Sequence, residues 1–470
     1  MRRLLLSTAI TCLVVALLVN VILALPSGPP AHDAFVRTTA PISSAVATPT
    51  TTPNGGTFSD MLTVALETTM PDKDQLSGLL YPESDSQTST LDWPQVQRDP
   101  QRTGYSPETL GTNIQVAWTH RFWPEKVYPQ VQAIVYQGRV FVGTEMGNMY
   151  AFDAKTGTQL WKFTAGGSIL ASVAAGNYRV FFGAMDGAIY ALDANTGALV
   201  WKSNLLGRHG FSTAPVLADN KVMLGGRNGV FYALDPNDGR TLWQYDVGTP
   251  ILQTAASNNG RVFFGAMNMY VYAINTTDGT LAWKSEKVDG MAFKDYWPVV
   301  YQGKVLVRAM AKGKNFYAFD EDTGAETITL PEGAQYGGLT MHGATTPPAV
   351  DRDGYLIVPV AQPDGGDSCW GRLDLATQAI VDHLGGCGNP DENENVSTAY
   401  NLIICLHTNE GIMAAPSGAY DLDNRRWISM PFVNRQPWQN TQGGGGNPAS
   451  IADGMFYHIG MNYLVARSTR

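Results

Sequence analysis

Apolar and polar positions change over at short range along most of the chain. Segments such as RVFVG (139–143), RVFFG (179–183), KVMLG (221–225) and RVFFG (261–265) are followed by Gly-containing turns such as MDG (185–187) and RNG (227–229). Val, Phe, Tyr and Ile at this spacing, bounded by turn residues, predict consecutive antiparallel strands. Each segment leads into one motif written four times: YAFDAKTGTQLW (150–161), YALDANTGALVW (190–201), YALDPNDGRTLW (232–243) and YAINTTDGTLAW (272–283). The closing residues Trp161, Trp201, Trp243 and Trp283 stand 40, 42 and 40 residues apart. A fifth copy, YAFDEDTGAETI (317–328), keeps the turn and carries Ile328 in place of Trp. In the turn of the second copy, Asp193 can cap backbone donors while Gly197 takes a positive φ.

Four strands fit each repeat, and a lone four-stranded sheet cannot bury both faces. Repeats must therefore stack face to face, and a radial array of such sheets is a β-propeller. Degenerate copies follow at 354–381 and 401–428, and GMFYHIGMNYLVAR (454–467) supplies a strand pair without a Trp-ending strand. NIQVAW (113–118), whose Trp118 precedes Trp161 by 43 residues, supplies the missing one. Pairing first and last segments closes the circle and removes exposed sheet edges. Outer strands near Trp118, Trp161, Trp201, Trp243, Trp283, Ile328, Ile380 and Trp427 predict an all-β, eight-bladed propeller of four-stranded antiparallel blades over residues 92–470.

The amino terminus is different. Leu4 to Leu25 is an apolar run directly after Arg2 and Arg3, long enough for a bilayer-spanning helix. Residues 1–25 therefore read as a signal anchor or a signal peptide, and both readings place the rest of the chain outside the cytoplasm. Residues 26–91 are Thr-, Ser- and Pro-rich and read as a disordered stalk, with too few large apolar side chains to offset the entropy of ordering. A new texture begins at Asp92 with DWPQVQRDPQRTGYSP.

Composition narrows the function classes. Charged residues are 16% of the chain, below the usual ~25%, while Gly is abundant at 49 of 470 residues, which favours tight turns over solvated helices. A net charge of −9 argues against a phosphate-binding surface and thus against nucleic acid as a partner. One apolar stretch alone excludes a polytopic membrane protein.

The repeat motif resembles the tryptophan-docking repeat of pyrroloquinoline-quinone-type (PQQ-like) β-propellers, a family that holds quinoprotein dehydrogenases and non-catalytic relatives such as the lipoprotein of the outer-membrane barrel-assembly machine. The resemblance is strongest over residues 128–324. It implies that Trp118, Trp161, Trp201, Trp243 and Trp283 lock neighbouring blades together. It also raises PQQ with calcium as a cofactor, but this chain has no vicinal Cys pair and lacks the long insertions of the larger dehydrogenases, so no cofactor is expected.

Residues just before each innermost strand crowd the channel mouth and are candidate ligand positions: His209, Lys294, Asp295, Tyr296 and His342, with Trp297, Asn440 and Gln442 beside them. Solvated channel lining is the alternative reading. No HExxH pattern, EF-hand order, GxSxG or phosphate loop is present. Cys369 and Cys387 flank a hairpin and, in an exported chain, are expected to bond, leaving Cys405 a thiol; three buried thiols are the alternative. Together these features predict an extracytoplasmic, tethered or exported scaffold for a protein partner or cell-envelope component. A quinoprotein-type oxidoreductase with its site at the channel mouth is the rival.

Overall fold

The structure, a computed structural model, describes residues 92–129, 131–205, 209–293, 296–310, 316–327, 346–360, 369–385, 395–406, 417–430, 448–460 and 462–469. The expected helix (1–25) and stalk (26–91) lie outside them. Among the described residues there is no helix, and none is long and apolar enough to cross a membrane.

Eight antiparallel sheets follow one another along the chain, each with strands in sequence order except the last. Strand β1 (Gln115–Arg121) stands apart from the first sheet, which is made of β2 (Ile134–Tyr136), β3 (Arg139–Gly143), β4 (Asn148–Asp153) and β5 (Gln159–Thr164). The next six sheets begin at the inner strands Ala174–Gly176, Val216–Ala218, Ala256–Asn258, Val299–Tyr301, Ala349–Val350 and Val396–Thr398. The eighth contains Ser450–Ala452, Met455–Ile459 and Tyr463–Ser468, and β1 is its outer strand, paired with Tyr463–Ser468 from Gln115↔Ser468 to Arg121↔Tyr463. First and last segments thus close an eight-bladed ring. The fifth sheet shows three strands, and a bridge from Phe319 to Glu326 marks where its outer edge begins; Ile328 lies outside the described residues.

Neighbouring blades are joined at the outer strand. The indole N–H of Trp118 donates to Ala154 O (2.8 Å), Trp161 to Ala194 O (3.1 Å), Trp201 to Pro236 O (3.0 Å), Trp243 to Thr276 O (2.7 Å) and Trp283 to Glu321 O (2.8 Å), each acceptor being in the next blade's turn. The turn lets the indole in because its glycine has no side chain. A Cβ on Gly197 (φ +71°) would lie 2.6 Å from the Trp161 ring. An arginine at the start of the second strand adds a further link: Arg179 reaches Pro236 O and Asn237, and Arg261 reaches Glu321 O and Asp322. The period of about forty residues is therefore a mechanical one, each repeat supplying the indole to the next and the turn to the one before.

The segment 92–111 adds something that no repeat contains. It runs past the inner strands of all the blades in order. Trp93 and Val135 exchange backbone hydrogen bonds (2.8 and 3.0 Å). The N–H groups of Ala175, Ser257, Val300, Val350 and Thr398 donate to the carbonyls of Pro94, Pro100, Gln101, Thr103 and Gly104 (2.7 to 2.9 Å). Leu217 N–H donates to the Gln95 side chain, and in the eighth blade Gly454 N–H donates to Glu108 Oε2 (2.7 Å). Gln97, Arg98 and Arg102 take left-handed backbone angles (φ +53°, +74° and +66°), which coil the segment tightly enough to visit the whole ring.

Arg102 is the hub of this seal. It is fully buried, and its guanidinium donates to Ala255 O, Val96 O, Pro215 O and Gln95 Oε1. Burial pushes its pKa down to about 9, opposed by nearby Asp99, so it stays cationic at neutral pH. Asp99 in turn accepts from the backbone and the hydroxyl of Thr103. One buried cluster then unites Val96 with Ala171 and Ala214 of the second and third blades and with Tyr296 and Trp297 of the fifth. At that level the axis is packed with side chains.

At the rim of the seal, Asp92 accepts from Gln137 N–H (2.9 Å), and its pKa is raised to about 6, chiefly by burial and further by Asp453. A folded-state pKa above the unfolded value means that stability from this group is full below the unfolded pKa and is lost as pH rises through about 6. Asn keeps the acceptor and removes the charge. Asp92→Asn is therefore expected to be more stable than the parent at neutral pH, by ~1–2 kcal/mol after allowing for solvent screening. The difference should vanish below about pH 4. Urea unfolding of both proteins across that range checks it; a pH-independent difference would contradict it.

Candidate functional site

Because strand direction alternates, the loops entering the inner strands share one end of the ring with the turns between second and third strands. The other end carries the axial seal.

His209 is exposed on the loop entering the third blade. Tyr296 enters the fifth blade but is buried, its ring packed edge-to-face on Trp297 (5.8 Å) and its carbonyl accepting from Thr254 N–H. Lys294, Asp295, His342, Asn440 and Gln442 lie outside the described residues, so the structure places His209 and Tyr296 on different blades and leaves the rest of that constellation unplaced. Two buried polar atoms near the starts of the fifth and sixth inner strands, Trp297 Nε1 and Thr346 Oγ1, have no hydrogen-bond partner. Among the described residues, no group of three His, Cys, Asp or Glu side chains gathers to hold a metal ion. Cys369 and Cys405 are both buried, and Cys387, the expected partner of Cys369, lies outside the described residues.

A second constellation on the loop end is fully described. Residues 122–127 link β1 to the first blade, and this loop is tied to the 144–147 turn by Glu145 N–H donating to Lys126 O (2.9 Å). In the second, third and fourth blades that turn carries Asp186, Asn228 or Asn268, bonded to the hydroxyl of Tyr190, Tyr232 or Tyr272. The first blade has Met146 there instead. Its tyrosine, Tyr150, donates to Glu125 Oε1 (2.7 Å), a carboxylate supplied by the linking loop. Burial alone would raise the Glu125 pKa. Donors Thr144, Tyr150, Asn148 and Lys162 outweigh burial and hold it below the ordinary glutamate range.

The exchange has a consequence for the surface. With the polar cap moved to Glu125, Met146 is 61% exposed, and Trp123, on the linking loop bonded to the same turn, is 62% exposed. Arg121 stacks between Trp123 (5.6 Å to the ring centre) and Tyr463 (5.8 Å). The result is an exposed aromatic, guanidinium and thioether group on a rigid support. Sequence reasoning missed it, although a signal was present: EMGN breaks the Asp or Asn pattern of MDGA, RNGV and MNMY in the other copies.

Comparison with known proteins agrees with this architecture. A family model described as outer membrane protein assembly factor BamB matches residues 115–254 and 227–370, together more than half of the chain. Quinohemoprotein alcohol dehydrogenase from Comamonas testosteroni is similar in structure, with a TM-score of 0.60 at 15% identity over 80% of each chain. A europium-containing methanol dehydrogenase gives 0.60 at 13% identity over 80% of this chain and 98% of its own. BamB from Moraxella catarrhalis gives 0.52 at 16% identity over 76% of this chain and 97% of its own. At these identities the structural likenesses speak for the fold alone. No curated protein matches the sequence. The extent of the family match, with the blade-to-blade tryptophans and the closed ring, places this chain in the PQQ-like repeat β-propeller family.

Proposed function

We propose that this protein is a binding and assembly scaffold of the cell envelope, working outside the cytoplasm and docking a protein partner through the Trp123, Arg121, Tyr463 and Met146 patch. The observation that carries this reading is Trp123, a large aromatic ring held in water by a stacked arginine and by a loop anchored through Glu125. Trp and Arg dominate the energetics of protein interfaces. The match to the assembly-factor family supports the same reading, and the apolar run from Leu4 to Leu25 supports export or tethering.

The test is capture from envelope membranes with the full chain as bait. A Trp123→Ala, Met146→Ala double variant should fold normally and recover the parent's main partner with affinity weaker by about 30-fold or more. Equal recovery would move the docking surface elsewhere.

The orphaned Trp297 Nε1 and Thr346 Oγ1 favour a second reading, a quinoprotein-type oxidoreductase. Both are hydrogen-bond donors that fit the carbonyl and carboxylate oxygens of a quinone, which would supply the electron-accepting chemistry when bound. PQQ with calcium added to the pure protein should then bind tightly and support dye reduction. Failure of both removes this reading.

A further inference from the structure

Four methionines lie on three neighbouring segments at the loop end of the fourth and fifth blades. Met267 and Met269 occupy the turn after strand Arg261–Gly265, Met291 lies on the segment entering the fifth blade, and Met310 follows strand Lys304–Arg308. Backbone hydrogen bonds stitch these three segments together. Val288 N–H donates to Met269 O (2.8 Å), Met291 N–H to Met310 O (2.9 Å), and Met310 N–H to Ala292 O (2.9 Å). Gly290 lies at the centre of the knot with φ +145°. A Cβ there would stand 3.2 Å from the Met269 methyl and 3.0 Å from Met310 O.

Hydrophobic packing accounts for Met269, which is buried in the core. It does not account for Met291, which is 71% exposed, or for Met267, which is 36% exposed. Met267 and Met291 are thus exposed and Met310 is half-buried, on segments bonded to one another around the buried Met269. Thioether sulfur is a soft, neutral donor that selects soft cations over calcium, magnesium or zinc.

We propose that Met267, Met269, Met291 and Met310 form a binding site for a soft monovalent cation of the Cu(I) class. The site is separate from the Trp123 patch, which lies where the eighth blade meets the first. Neutral thioethers carry no proton to lose, so binding should be nearly independent of pH between about 5 and 8, unlike a site of imidazole or thiolate ligands.

The probe is Cu(I) alone, titrated anaerobically into the full-length protein against a chromogenic chelator. A Met291→Leu, Met310→Leu variant keeps apolar volume and every cysteine of the parent. The expected result is one equivalent fewer bound by the variant than by the parent, or at least about tenfold weaker binding at that equivalent, with an all-sulfur X-ray absorption signature in the parent. Equal stoichiometry and affinity in parent and variant would overturn the proposal and leave the four residues as packing. A steep loss of the Cu(I) equivalent between pH 8 and about pH 5 would also overturn it, because it would assign the metal to thiolate or imidazole.

Discussion

A chain beginning at Phe122 is expected to lose the closed monomeric ring, whereas one beginning at Asp92 should fold as a soluble monomer. The shorter chain lacks β1, and with it the pairing from Gln115↔Ser468 to Arg121↔Tyr463. The strand Tyr463–Ser468 then becomes an unpaired edge, open to association with other chains. It also lacks the Trp118 indole that joins the eighth blade to Ala154 of the first, and the whole axial segment. At about 1 kcal/mol net per hydrogen bond, these losses exceed ~5 kcal/mol, comparable to the entire stability of many domains. Light scattering should find the shorter chain self-associated, and its unfolding midpoint should fall by more than about 10 °C. Equal midpoints and equal monomer content would show that neither closure nor the seal holds the ring.

Arg102→Ala should be the most damaging single substitution in the seal, costing about 3–5 kcal/mol. It removes the donors for Ala255 O, Val96 O, Pro215 O and Gln95 Oε1 and opens a cavity on the axis. It also deprives the buried Asp99 carboxylate of one of its two cationic neighbours, leaving Arg98 alone. Arg102→Lys should recover less than half of the loss, because one ammonium cannot match a planar fork that serves acceptors on two blades. Arg102→Met separates the causes, since it fills volume without donating hydrogen bonds. Urea unfolding of the three variants is the measurement. A cost below about 1 kcal/mol for Arg102→Ala would reduce the hub to a tolerated buried charge.

Much of the ring is legible in the residues because its physics repeats. Trp161, Trp201, Trp243 and Trp283 recur at nearly constant spacing since each must reach the same carbonyl over the same glycine in the next blade. The assignment of 113–118 to the outer edge of the last blade follows from the same count, and the structure pairs Gln115–Arg121 there.

The candidate site was far less legible. Approach loops were expected to line an open channel mouth, and the structure buries the Tyr296 ring against Trp297 in the cluster that Val96 of the axial segment completes, a contact that no local sequence announces. The Trp123 patch escaped notice because it depends on a replacement across two segments, Glu125 doing in the first blade what Asp186 does in the second.

Local pattern thus settled strand type, blade number and ring closure, all of which follow from periodic burial and nearest-neighbour docking. The axial seal was decided by tertiary structure alone. DWPQVQRDPQRTGYSP has no periodicity, and its partners are backbone groups of inner strands up to 299 residues away. Backbone N–H and C=O are the same for every residue type, so only the assembled ring, which points its inner strands at one axis, could show where that segment finds its hydrogen bonds.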